Sequence, residues 1–244
     1  RRSGRPWVAT WLVLVLSQAV DAATPMRFER LGMEDGLSQL TVHAIVQDAT
    51  GFLWFGTEDG LDRYDGYGFR HVRRDRSDVT SLTSDFITDL AVDAAGRLWV
   101  ATGGGGVLWK EPGEDRFRVL EPRGGLAAMH DLQHVRAIAF DRRGRLLIGS
   151  RDAGLAIYDP SSGELTRHRH DRADPDSLGD DVIYDVIEDR RGDLWLATGA
   201  GVDRFVTASG RFERQPREGA NRVQRVRARA VLEDHLGVIW AGTD

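Results

Sequence analysis

"DATGFLWFGTEDGLDRYDG", running from Asp48 to Gly66, offers no nucleophile pair, no metal box and no phosphate loop, yet it comes back along the chain. "IVQDATGFLWFGTEDGLDRYD" is followed by "LAVDAAGRLWVATGGGGVLW", "IAFDRRGRLLIGSRDAGLAIYD", "VIEDRRGDLWLATGAGVDRF" and "VLEDHLGVIWAGTD". The turn aspartates Asp48, Asp93, Asp141, Asp189 and Asp234 are 45, 48, 48 and 45 residues apart. Three residues beyond each stands a glycine: Gly51, Gly96, Gly144, Gly192 and Gly237. Trp54, Trp99, Trp195 and Trp240 share one position, which Leu147 takes in the third copy. A period of this length marks a repeat architecture, and that reading precedes any search for motifs.

Each copy divides into four short strands. The first ("VHAIVQD", "FITDLAVD", "VRAIAFD", "VIYDVIED", "RAVLED") alternates apolar residues at period two. In the D-x-x-G link the aspartate can bond its own backbone two residues on, and the glycine accepts a positive φ. The "FLWFGT" element is strand two, "LDRYD" or its equivalent strand three, and "FRHV" or its equivalent strand four. Four antiparallel strands in 40–50 residues are the mark of a propeller blade. The expected fold is therefore an all-β propeller with repeats at about 38–82, 83–130, 131–178, 179–221 and 222–244. The shared Trp or Leu position and the five turn glycines are the expected blade anchors, the glycines near the indole letting backbones approach closely. "FERLG", Phe28 to Gly32, matches the fourth-strand pattern and is expected to be an outer strand that completes the last blade of a closed ring. About four and a half blades of an expected seven or more are present, which reads as a fragment of a longer protein.

Composition narrows the function. A net charge of −5 over 244 residues argues against nucleic acid, which is held through basic patches. The chain has no cysteine, so disulfides, thiolate catalysis and Cys-bound zinc are excluded. Arg1, Arg2 and Arg5, the apolar run "WVATWLVLVLSQAV" and the small residues Val20 and Ala22 form an export signal, with residues 1–22 removed and residues 23–244 left as propeller.

The pattern D-x-x-G-x-[LI]-W-x-[GA]-T-x-x-G-[LV]-x-x-[YF] resembles the two-component regulator propeller repeat, and "LGMEDGLSQLTVHAIVQDATGFLWFGTEDGLDRYDGYGF" is similar to the first blade of such sensors. The resemblance covers about residues 26–244. It implies a periplasmic ligand-sensing propeller, anchored in the inner membrane and homodimeric in the full-length protein. The implied output is a histidine kinase, often hybrid, or alternatively a diguanylate cyclase. The third copy departs from the pattern at Leu147 and Ser150, which is expected to weaken one blade contact.

Chemistry is sparse. The glycine run Thr102 to Gly106 precedes a strand rather than a helix and lacks the Lys-Ser/Thr of a phosphate loop, so it reads as a flexible turn. "RHRHD", Arg167 to Asp171, offers His168 and His170 but no third ligand, and no metal or other cofactor is expected. The loops "DRSDVTSLTSD" and "DRADPDSLGDD" align without a gap, Asp75 to Asp85 on Asp171 to Asp181. They read either as turn chemistry or as a shared polar surface. In a propeller these connections share a face with the turns between strands two and three. That face gathers the ligand-contact candidates Glu58, Asp59, Asp78, Ser81, Arg151, Asp152, Asp174, Asp176 and Ser177. The expected partner is a small molecule or a glycan. A periplasmic lyase or hydrolase is a second reading, with His43, His130 and His134 as its spare bases. A protein-interaction scaffold is a third. No catalytic residue is assigned.

Overall fold

The five D-x-x-G turns close alike. In each, the glycine N–H donates to the aspartate carbonyl at 2.9–3.0 Å, and the glycine takes φ between 76° and 96°. The computed structural model describes residues 28–214 and 226–244; the proposed leader lies outside them. The aspartate side chain organises the turn. Oδ1 of Asp189 accepts from the N–H groups of Arg191 (2.8 Å) and Asp193 (3.0 Å), while Oδ2 accepts from the Trp195 indole at 2.9 Å. Asp48 with Trp54 (2.7 Å), Asp93 with Trp99 (3.0 Å) and Asp234 with Trp240 (2.8 Å) repeat the arrangement. The third copy has no indole, and Oδ2 of Asp141 accepts from Arg145 Nε at 2.6 Å instead. Burial disfavours ionisation of Asp48, Asp93 and Asp189, but the indole and N–H donors outweigh it and hold their pKa values below the ordinary 3.8.

Each turn joins the first two strands of an antiparallel sheet. The first blade is β1 (Val42–Gln47), β2 (Leu53–Thr57), β3 (Gly60–Tyr64) and β4 (Phe69–Val72). The second is β5 (Ile87–Val92), β6 (Leu98–Thr102), β7 (Gly106–Lys110) and β8 (Arg118–Val119). The third is β9 (Val135–Phe140), β10 (Leu146–Ser150), β11 (Leu155–Asp159) and β12 (Glu164–His168). The fourth is β13 (Ile183–Glu188), β14 (Leu194–Thr198), β15 (Gly201–Val206) and β16 (Arg211–Arg214). A fifth sheet holds β17 (Ala228–Glu233) and β18 (Ile239–Thr243). Strands run in chain order within every sheet, and the innermost strands β1, β5, β9, β13 and β17 neighbour one another in succession. This is the stacking of propeller blades. Phe28 to Leu31 forms no strand, so the expected outer ribbon is not paired here.

The anchor position behaves as a blade contact where a following blade exists. Trp54, Trp99 and Leu147 are buried, Trp195 is half-buried, and Trp240, on the last of the described sheets, is 61% exposed. Leu147 is fully buried, and Ser150 keeps the bonds its threonine counterparts make, donating to Gly154 O at 3.0 Å and accepting from Ala153 N at 2.7 Å. The third copy therefore loses the indole bond but not its packing.

Of the expected five glycines, Gly96 is a close approach, where a Cβ would come within 3.2 Å of Ala49 in the preceding blade's turn; the tightest approaches fall on other glycines. A Cβ on Gly51 or Gly144 would meet nothing within 4 Å, so these positions serve backbone conformation alone. A Cβ on Gly56 or Gly149 would press within 2.7 or 2.6 Å of Ile87 or Ile183 of the next blade. The equivalent position in the second and fourth blades is alanine, Ala101 and Ala197, and there the following blade begins with the smaller Val135 and Ala228. The glycine run is packed, not flexible. A Cβ on Gly103 would strike the Phe86 ring and one on Gly105 would strike Thr83, while Gly104 and Gly106 carry positive φ.

Polar bonds also cross between blades. Asp89 accepts from Ile138 N at 2.7 Å and Asp185 from Val231 N at 2.9 Å. Burial pushes the Asp89 pKa from its ordinary 3.8 up to about 6 against the pull of these donors, and it raises that of Asp185. Ionisation of Asp89 is thus harder in the folded chain. Its stabilising contribution is complete below pH 3.8 and is lost as pH rises through about 6.

Two outcomes follow. Asp89→Ala strands the Ile138 N–H and should destabilise the chain by about 1–3 kcal/mol at pH 5, with a smaller loss at pH 8; melting curves at the two pH values check this, and an equal or larger loss at pH 8 contradicts it. Gly149→Ala should destabilise by about 1–3 kcal/mol through overpacking, and adding Ile183→Val should recover much of that, because Ala beside Val is the pair used between the second and third blades. A double variant no more stable than the single one would refute the size-matching account.

Candidate functional site

The inner strands share one irregularity. In every blade the ladder slips at the second residue of the inner strand: between Val42 and Ala44, Ile87 and Asp89, Val135 and Ala137, Ile183 and Asp185, and Ala228 and Ala230. The residue passed over is the extra residue of a β-bulge, which has no partner opposite and can be re-aimed. Those residues are His43, Thr88, Arg136, Tyr184 and Arg229. The positions on either side vary less, an aliphatic residue before and an alanine or a buried aspartate after. Val42, Ile87, Val135, Ile183 and Ala228 precede them, and Ala44, Asp89, Ala137, Asp185 and Ala230 follow. The copies agree on packing and differ at the bulge.

Four of the bulge residues, all but Arg229, line a cleft of about 230 Å3 beside the inner strands, together with Phe86, Gly103, His134, Val135 and Arg151. Its rim forms where the turn between strands two and three meets the blade-to-blade connection. Gly103 N–H donates to Phe86 O at 2.9 Å, Gly103 bridges His134, and Arg151 N–H donates to His134 O at 2.9 Å. The Phe86 ring packs edge-on to His43 at 5.3 Å. Arg136 lies over one ring, Tyr184, at 4.8 Å, and Arg229 lies over the same ring at 4.4 Å. At these distances each guanidinium is attracted by the ring face.

Charge in and around the cleft is unevenly paired. Glu58 is met by His43 at 3.4 Å, and Asp244 accepts from Arg229 at 2.8 and 3.2 Å. Among the described residues Arg136 and Arg151 have no carboxylate partner within 4.0 Å, and the buried Nε of Arg136 has no hydrogen-bond acceptor. A buried donor left in that state costs about 1–3 kcal/mol.

Of the nine contact candidates, Arg151 lines the cleft and Glu58 borders it through His43. Asp59 pairs with Arg73 of the outer edge, and the Asp152 carbonyl accepts from Arg169 at 2.9 Å. The remaining five sit in the two aligned loops, where the side chains of Asp78, Ser81, Asp174 and Ser177 are committed to the loop itself and that of Asp176 to the outer strand. Ser81 Oγ donates to Asp75 O at 2.8 Å and accepts from Asp75 N at 2.9 Å; Ser177 does the same with Asp171 O and Asp171 N, each at 2.9 Å. Asp78 accepts from Thr80 N at 2.8 Å and Asp174 from Asp176 N at 2.9 Å. Asp176 meets Arg211 at 3.2 Å. The Thr80 and Asp176 carbonyls then accept from Phe117 N (2.8 Å) and Phe212 N (2.9 Å), which ties each loop to an outer edge. His168 packs against Phe205 and Phe212, and His170 meets Leu178 O at 2.7 Å, so this pair is used in packing and turn closure.

Sequence reading missed Thr88, Arg136 and Tyr184 altogether and weighed His43 and His134 only as spare bases. Period-two alternation does not reveal a bulge. The available signal was variability: one inner-strand position varies more than its neighbours.

The comparisons with known proteins agree with the architecture. The family model "Two component regulator propeller" matches residues 36–59, 81–104 and 177–200, within the first, second and fourth blades. Histidine kinase P4 of Formosa agariphila is 49% identical over 49 residues, which are 20% of this chain and 4% of that protein. The extracellular domain of the candidate hybrid two-component system BT4673 of B. thetaiotaomicron superposes with a TM-score of 0.68 at 24% identity, over 86% of this chain and 26% of that one. Virginiamycin B lyase of Staphylococcus aureus superposes at 0.58 with 10% identity, over 82% and 62% of the two chains. This chain therefore spans only a small part of the kinase and about a quarter of the first solved structure. All four blade sheets and the two-stranded fifth are built on one turn, and the chain is a propeller in which three blades carry two-component regulator propeller repeats.

Proposed function

We propose that this propeller is the extracytoplasmic sensing region of a transmembrane two-component signalling protein. The observation that carries the reading is the repeat itself, matched in three blades by the regulator family and in 49 residues by a histidine kinase. The basic and apolar leader of residues 1–22 supports export to the periplasm and an inner-membrane protein. The output that fits best is a histidine kinase, in which case a ligand must bind two arrangements of the sensor unequally to change its activity.

In this role the blades are a rigid frame and the bulge residues are the recognition surface. The glycine-to-isoleucine contacts and the Asp89 and Asp185 bonds lock neighbouring blades together. A small ligand entering the cleft touches side chains from the first four blades at once.

Export is tested by fusing alkaline phosphatase behind residue 244 in a Gram-negative host, because that enzyme gains its disulfides only after leaving the cytoplasm. Activity should be high with residues 1–22 present and fall at least tenfold when they are deleted. A fusion inactive in both forms would overturn the extracytoplasmic placement. For the output, the whole protein incubated with ATP should label a histidine, and removal of the propeller should change that rate.

A further inference from the structure

We infer that the cleft is an anion site, built for a small molecule bearing a carboxylate, with Arg136 and Arg151 as its ligands. The inference rests on the sensing reading for its purpose but on the cleft alone for its chemistry.

The chain as a whole carries −5, and about half of the described arginines have a carboxylate within 4.0 Å. Arg136 and Arg151 are among those that do not, and they share one cleft. The nearby carboxylates Glu58 and Asp244 are taken up by His43 and Arg229, and two guanidiniums from the third blade are left facing the same space without a counter-charge. Arg136 is also held ready. Its Cζ lies 4.8 Å from the centre of the Tyr184 ring, and its buried Nε lacks an acceptor. A guanidinium meets a carboxylate through two parallel N–H···O bonds, and such bonds are stronger than those between neutral groups.

The remaining walls define the rest of the ligand. Phe86 presents an apolar ring, 39% exposed, that Gly103 allows to lie against the turn. Thr88 donates its hydroxyl to Val135 O at 2.8 Å and so closes that side with its own bond satisfied. His134 adds a ring that can donate or accept at the rim. A volume of about 230 Å3 admits a small acid and not a long polymer within the cleft itself. The class that fits is a compact carboxylic acid with an apolar or sugar-like body; a uronic acid and a simple dicarboxylic acid share the required chemistry.

The experiment is calorimetric titration and thermal shift on the whole protein with matched probes: D-glucuronate, succinate and D-glucose. The inference expects saturable binding of glucuronate or succinate, or both, with a rise in melting temperature, and at least tenfold weaker binding of glucose. Glucuronate alone binding identifies a sugar acid; succinate alone identifies a simple acid. Arg136→Gln and Arg151→Gln should each weaken acid binding at least tenfold, and Arg142→Gln, on a turn outside the cleft, should not. If Arg136→Gln fails to fold, Arg151→Gln, on an exposed turn, carries the test. Glucose binding as well as glucuronate, no binding of either acid by a folded sample, or acid binding unaffected by both substitutions overturns the inference. The sensing reading fails separately: it falls if acid binds in the cleft while histidine phosphorylation of the whole protein stays unchanged, and it survives if neither acid binds yet another ligand alters phosphorylation.

Discussion

The carboxylate of the turn aspartate is the constraint on which the blades depend. One side chain takes two backbone N–H groups of its own turn and, in four copies of five, the indole N–H of the strand that follows. A tight turn by itself fixes only the direction of the chain. With the indole attached, it also fixes the orientation of the largest residue in the blade face. Local turn chemistry and packing between sheets are therefore settled by one group, and a repeat that keeps the D-x-x-G and the Trp keeps both.

The third blade shows how much of this is separable. Leu147 cannot bond Asp141, yet it is fully buried, and Arg145 takes the vacant oxygen. Blade stacking tolerates loss of the indole so long as apolar volume is present and the carboxylate is satisfied. The size match between Gly and Ile, or between Ala and the smaller Val or Ala, is a second and independent device. It operates on the same face of strand two, two residues beyond the indole, against the first residue of the next blade's inner strand.

Most of the fold was legible in the sequence because its determinants are local and recur. Asp48, Gly51 and Trp54 return at a fixed period, and five copies make the signal hard to miss. Of the five turn glycines read as points of close approach, Gly96 meets the Ala49 turn of the preceding blade, while Gly51 and Gly144 meet nothing; in the first and third blades a second glycine follows the anchor, and spacing cannot say which one faces a neighbouring blade. The site was much less legible. Arg151 was named from topology, but Asp78, Ser81, Asp174, Asp176 and Ser177 were named from polarity, and polarity does not distinguish a side chain that waits for a ligand from one that closes its own loop or pairs with an outer strand. Arg136 and Tyr184 escaped because their role depends on an inserted residue, and counting by twos assigns such a residue to the wrong face.

The bulge has an evolutionary consequence. A residue outside the ladder can be exchanged without disturbing the register or the ladder hydrogen bonds on either side. Repeated around the axis at His43, Thr88, Arg136, Tyr184 and Arg229, it gives the ring a set of independent dials. Duplication of a blade multiplies the scaffold and adds one more dial, so a lineage can change its chemical taste by single codons while the architecture beneath is inherited intact.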